Sequence, residues 1–211
     1  MAPVEVVTPW DRDRGFPNAQ AHMAARLQEE VDVMGHLGVR HQELGFCPSE
    51  YRGDALDSIA SHDVLTAVRA QLDGSDAVAL PVGAGGSFGF RQKLWHRIAP
   101  GRRPPGGTTP HPDHIAVTDL LLAPLLADGH DIWLYEDLPY LWARSGDQRA
   151  VALCAAHHAS ATLEVVAVDR QAKAEAINRY SSQASAVVLR PPAEVAGVLP
   201  THERYWRLSP M

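Results

Sequence analysis

Two histidines and an aspartate fall within four residues at His111-Pro112-Asp113-His114. An imidazole can ligate a metal or carry a proton near neutral pH, and a neighbouring carboxylate can fix its tautomer and raise its basicity. Pro112 suits the first position of a helix, so His111 and His114, three apart, share one face at its start. Such a trio beside a loop is the pattern of a metal site or an acid/base cluster. The same spacing also suits a plainer arrangement, in which Asp113 caps the helix and both histidines are exposed. His157 and His158 form a second pair, but adjacent side chains diverge on any regular element, which makes them surface histidines. The run from Gly83 to Gly89 lacks the spacing of a dinucleotide turn and has no Gly-Lys-Ser/Thr, so it gives no nucleotide site.

The elements that must position the trio are read from periodicity. Val4 to Thr8 is a short β-branched run closed by Pro9 and the acidic-basic turn around Asp11 and Asp13. Met23, Leu27, Val31, Met34 and Leu37 recur at helical steps and predict an amphipathic helix from Ala21, ended by Gly38. A short strand is expected over Val39 to Phe46, and a helix after Ser61 through Val64, Leu65, Val68 and Leu72. Ala77 to Val82 is continuously apolar, as in the inner strand of a parallel sheet. Residues 83–109 are rich in glycine and proline and predict a mobile loop, either a lid or an insertion without chemistry. The His111 helix follows, then strands at Asp131 to Tyr135 and Ala161 to Asp169, a polar helix at Arg170 to Tyr180 and a short strand at Ala186 to Leu189. Strands alternating with helices imply an α/β fold, Rossmann-like, with a mostly parallel sheet and helices on both faces.

Composition bounds the rest. The 211 residues fit a single domain, and 45% hydrophobic with 21% charged residues is a globular balance. A net charge of −6 and a pI near 6.0 leave no basic stripe for nucleic acid. The basic residues Arg91, Lys93, Arg97, Arg102 and Arg103 are broken up by glycine and proline and read as a solvated loop. No apolar run is long enough to span a membrane and no secretory signal is present. Cys47 and Cys154 lie far apart and outside any Cys-x-x-Cys pair, consistent with a reducing compartment, so the expected location is cytoplasmic.

Several segments, in order, resemble one family. His111-Pro112-Asp113-His114, after the Pro-Val-Gly-Ala-Gly strand end and before Ile115-Ala116-Val117, is similar to the second signature of the PIG-L/LmbE zinc-dependent N-deacetylases. Ala25-Arg26-Leu27-Gln28-Glu29-Glu30 through Val39 resembles their Arg-x-x-Glu helix, and Leu44-Gly45-Phe46 to Tyr51-Arg52 the following loop. Tyr135 to Tyr140, and Lys173 to Gln183 with Tyr180-Ser181-Ser182-Gln183, resemble later motifs, so the likeness spans almost the whole chain. It implies hydrolysis of an amide in a small molecule, an N-acyl amino sugar or related natural product, by a zinc-activated water. It implies His114 as a zinc ligand, His111 as the group that stabilises the oxyanion or protonates the leaving amine, and Asp113 as the carboxylate orienting an imidazole. Arg26 would face the substrate and Tyr140 would shape the pocket.

The chain departs from the pattern at its start. The family's first strand, ending in His-Pro-Asp-Asp and supplying two zinc ligands and the general base, has no counterpart, because Val4 to Thr8 resembles the second strand. Either that segment was cut away or lost to a misplaced start codon, or the chain is a repurposed member; separately, Asp11 and Asp13, which follow the first strand, are candidate stand-in ligands. A repurposed member would be a metal-independent acid/base catalyst or a binding and scaffold protein. Losing a central strand also exposes two inner sheet edges. These must pair with each other, or a homo-oligomer or partner chain must complete the sheet.

Overall fold

The computed structural model describes residues 11–12, 14–46, 48, 51, 61–72, 77–83, 111–137, 146–182 and 191–210. The backbone divides into two compact units, Met1–Ala60 with Asp169–Leu199, and Ser61–Val168 with Pro200–Met211. The expected strands at Val4 to Thr8 and Ala186 to Leu189, and the 83–109 loop beyond Gly83, lie outside the described residues.

In the first unit, α1 (Ala19–Leu37) begins at Asn18, whose side chain accepts the Ala21 amide, and ends at Gly38 with φ +68. That left-handed residue is where glycine escapes the Cβ penalty. The expected apolar stripe on α1 holds in part: Met23, Leu27 and Met34 are half-buried, but Val31 and Leu37 are exposed, at 48% and 52%. Ala19, His22 and Val33 are buried instead, with Arg26, Glu29 and Glu30 half-buried between them. Polar side chains can turn inward here because partners meet them: Glu29 accepts from the Ser181 hydroxyl (2.8 Å) and from the Ser182 amide and hydroxyl (2.7 and 2.6 Å). The Arg-x-x-Glu helix thus clasps the turn that follows α5 (Arg170–Asn178). Burial, with Glu30 accepting its hydroxyl, pushes the Tyr180 phenol well above its ordinary range. Residues 39–46 form no strand, a further correction: most of the segment is exposed and Gly45, at φ +73, breaks the extended backbone. The unit closes with a 3-10 turn at Pro192–Glu194 and the short α6 (Val195–Val198), which packs on α5.

The second unit holds α2 (Ser61–Arg69), β1 (Ala77–Pro81), α3 (Pro112–Ala127), β2 (Asp131–Tyr135), α4 (Asp147–Ala156), β3 (Ala159–Ala167) and β4 (His202–Pro210). The sheet order is β1-β2-β4-β3. β1 runs parallel to β2, with Leu80 beside Leu134, whereas β4 is antiparallel to both β2 and β3. The expectation of a mostly parallel sheet is therefore corrected for the described strands. β1, β2 and β3 point one way, but β4 enters reversed between β2 and β3 and makes two of the three ladders antiparallel.

Alternation along the strands places Leu80, Ile132, Leu134, Trp206 and Leu208 on one face. Leu121, Leu122 and Leu125 of α3 and Ala150, Leu153 and Cys154 of α4 complete this core, with Val64, Leu65 and Val68 of α2 at its margin. Burying four or five such leucine-sized chains contributes on the order of 10 kcal/mol before conformational entropy is charged against it. That core holds α3, and with it the His111 cluster, against the carboxyl ends of β1 and β2.

Candidate functional site

Two contacts fasten the start of α3 to the end of β1. The Thr118 hydroxyl, fully buried, donates to the Pro81 carbonyl. Gly83 lies against the helix backbone with φ +61, so close that a Cβ there would stand 3.0 Å from Ile115 Cα and 3.3 Å from the His114 carbonyl oxygen. Only a residue without a side chain permits both that conformation and that approach.

At the helix start the cap is His111, not Asp113. The His111 Nδ1 accepts the Asp113 amide at 3.3 Å, and the Asp113 carboxylate lies 3.7 Å from the same nitrogen. His114 is held from elsewhere: its Nδ1 donates to Asp137 Oδ2 at 2.8 Å. The two imidazoles are 5.1 Å apart between centroids and inclined by 39°. Both are partly shielded, with side-chain exposures of 22% for His111 and 34% for His114, whereas Asp137 is 1% exposed. The structure places His111, Asp113 and His114 at the start of α3 and adds Asp137, two residues beyond β2, against His114.

Asp137 was not singled out by sequence reasoning. Its signal was available: a carboxylate just past an apolar strand, at the sheet edge where α/β folds place ligands. Its Oδ1 is buried with no hydrogen-bond partner among the described residues. The neighbouring Glu136 is tied down more fully. Its Oε1 accepts the Gly146 amide at 2.9 Å and Arg204 Nη1 at 3.4 Å, while Arg204 Nη2 donates to Asp147 Oδ1 at 2.6 Å. Burial pushes the Glu136 carboxyl above its usual range, against the downward pull of the Gly146 amide and Arg204.

The remaining candidates lie in the first unit or outside the description. Asp11 is fully buried, and its Oδ1 accepts both His22 Nδ1 at 2.8 Å and the Tyr51 hydroxyl at 2.6 Å. Phe16 stacks on the His22 ring at 4.5 Å. Through that oxygen Asp11 joins the start of α1 to Tyr51. Arg26 is half-buried, with its Nη1 3.9 Å from Met23 Sδ. Asp13 and Tyr140 lie outside the described residues.

A His114 whose Nδ1 is engaged by a carboxylate would meet a zinc ion through Nε2, the arrangement metal-ligating histidines adopt. A catalytic zinc takes three protein ligands, however, and no group of three histidine, cysteine or acidic side chains among the described residues is arranged to hold an ion. These residues alone do not fit zinc.

No family model matches the sequence, and no curated protein sequence does. Solved structures do match. The zinc-inhibited form of the teicoplanin deacetylase Orf2 is 20% identical with a TM-score of 0.67, over 99% of this chain and 84% of its own. A triple-mutant deacetylase of the teicoplanin biosynthetic pathway is 19% identical with a TM-score of 0.66, over 99% and 81%. Dbv21, the A40926 pseudoaglycone deacetylase, is 19% identical with a TM-score of 0.61, over 99% and 81%. The chain shares their fold. Among the described residues no helix is long and apolar enough to cross a membrane.

Proposed function

We propose that this chain is an amide hydrolase of the PIG-L/LmbE type, removing the acyl group from an N-acyl amino sugar, free or carried on a glycopeptide-like natural product. The observation that carries the reading is the His114–Asp137 pair, with the His111 imidazole beside it at the start of a sixteen-residue helix. The fold shared with deacetylases of teicoplanin and A40926 supports it.

Amide hydrolysis adds water to the carbonyl carbon, places charge on the carbonyl oxygen, and breaks the C–N bond as the amine takes a proton. His111 and His114 supply two of the needs. Asp137 fixes the His114 tautomer with Nδ1 protonated, which turns Nε2 into the working nitrogen. His111, on the helix cap, stands where the helix N-terminus favours developing negative charge, and it is the group to protonate the departing amine. Asp113 flanks it. A second reading keeps the two imidazoles, 5.1 Å apart between centroids, as acid and base without zinc.

The test is release of free amine from N-acetylated amino sugars and from a teicoplanin-type glycopeptide, followed by mass spectrometry, with and without chelator. Loss of turnover in His114→Ala, and in His111→Ala, is expected. Chelator-resistant turnover selects the metal-independent reading. Unchanged turnover in both variants would overturn the assignment of this site.

A further inference from the structure

We infer that Arg204, on β4, and Glu136 form a bracket that positions Asp137 and through it aims the His114 imidazole; this rests on reading His114 as a working side chain. The argument starts from what holds Asp137. One of its carboxylate oxygens is occupied by His114, and the other has no hydrogen bond among the described residues. A carboxylate gripped at a single atom does not fix its own orientation, so the backbone that carries it must. That backbone is the two-residue extension of β2, and Glu136 is its anchor.

The anchor has three ties. The Glu136 amide donates to the Arg204 carbonyl at 3.3 Å, extending the β2–β4 ladder by one rung. The Glu136 carboxylate reaches the Gly146 amide, at the start of α4, where the helix N-terminus favours negative charge. The Arg204 guanidinium bridges Glu136 and Asp147 while lying over the Trp206 ring at 5.2 Å, so its plane is set by the buried core. Gly146 is pressed onto that same ring: a Cβ there would come 2.9 Å from Trp206. Strand, helix start and core therefore converge on one arginine, a rigid planar fork that a lysine reproduces only in charge. Arg204 and Glu136 are positioning residues, acting through Asp137.

The experiment follows the His114 ring directly. In protein carrying nitrogen-15 histidine, the His114 Nδ1–H signal is recorded for wild type, Arg204→Ala, Arg204→Lys, Glu136→Gln and Arg207→Ala. Turnover of the N-acetyl amino-sugar substrate is measured alongside. Arg207 pairs with Asp131 at 3.0 Å on the same strand but away from Glu136, so Arg207→Ala controls for loss of any β4 ion pair. The expected result is a displaced or broadened His114 signal in Arg204→Ala and Glu136→Gln, with kcat down about tenfold at unchanged KM. Arg204→Lys should restore part of both, and Arg207→Ala should change neither. If Arg204→Ala does not fold, Arg204→Lys and Glu136→Gln carry the same comparison. A His114 signal identical to wild type in these variants overturns the bracket, even where His114→Ala abolishes turnover. Should His114→Ala leave turnover intact, the proposed function falls while the ring signal still judges the bracket.

Discussion

Replacing Gly83 by alanine puts a methyl group where the structure has a helix. The new Cβ would lie 3.0 Å from Ile115 Cα and 3.3 Å from both the His114 oxygen and the Ile115 nitrogen, all backbone atoms that cannot rotate away. The left-handed φ of +61 costs an L-residue about 1 kcal/mol, and overpacking against a fixed backbone adds about 1–3 kcal/mol. Gly83→Ala should therefore lose about 2–4 kcal/mol in urea unfolding with the m-value unchanged. Gly129 supplies the control, since it has φ +87 but nothing within 4 Å of an added methyl, so Gly129→Ala should lose only the conformational part, about 1 kcal/mol. Because relief of the clash means the start of α3 drawing back from β1, the 2.8 Å His114–Asp137 bond should lengthen and turnover should fall as well. Equal destabilisation by the two alanines would refute the close-approach argument.

Two further outcomes follow from the ion pairs. Asp11→Asn should destabilise by about 1–3 kcal/mol, since it weakens a buried acceptor shared by His22 and Tyr51, and should leave bound metal unchanged on elemental analysis; loss of metal with stability intact would restore Asp11 as a ligand. Hydrogen bonds from Arg69 and Arg207 hold Asp128 and Asp131 below the usual carboxylate range. Depressed folded values mean that these two contributions are fully present above the ordinary carboxylate range near 4 and are lost as acid protonates the folded groups. Thermal unfolding followed downward through that window should show a smaller acid loss in Arg69→Ala and Arg207→Ala than in wild type.

What was legible in the sequence was local. The His111 cluster, the helix start at Pro112, the αL glycine after Leu37 and the strands β1, β2 and β3 all announce themselves within a few residues. β4 did not, because its charged side chains read as surface: Arg204 and Arg207 are matched by Glu136, Asp147 and Asp131, none of them near in sequence. α4 was missed for a different reason, since its buried side is made of little more than Ala150, Leu153 and Cys154. The polar contact of α1 left no periodic trace, as Glu29 meets its serines more than 150 positions away. Asp137 belongs to the same class: its partnership with His114 spans 23 residues and leaves no periodic trace.

The position of β4 bears on how the protein is made. Ile132 pairs with Leu208 and Leu163 with Trp206, so β2 and β3 have nothing between them until residues far downstream arrive. A nascent chain on the ribosome would carry two unsatisfied strands through the synthesis of α5 and the turns after it, an interval in which chaperone capture or mispairing with a neighbour competes with closure.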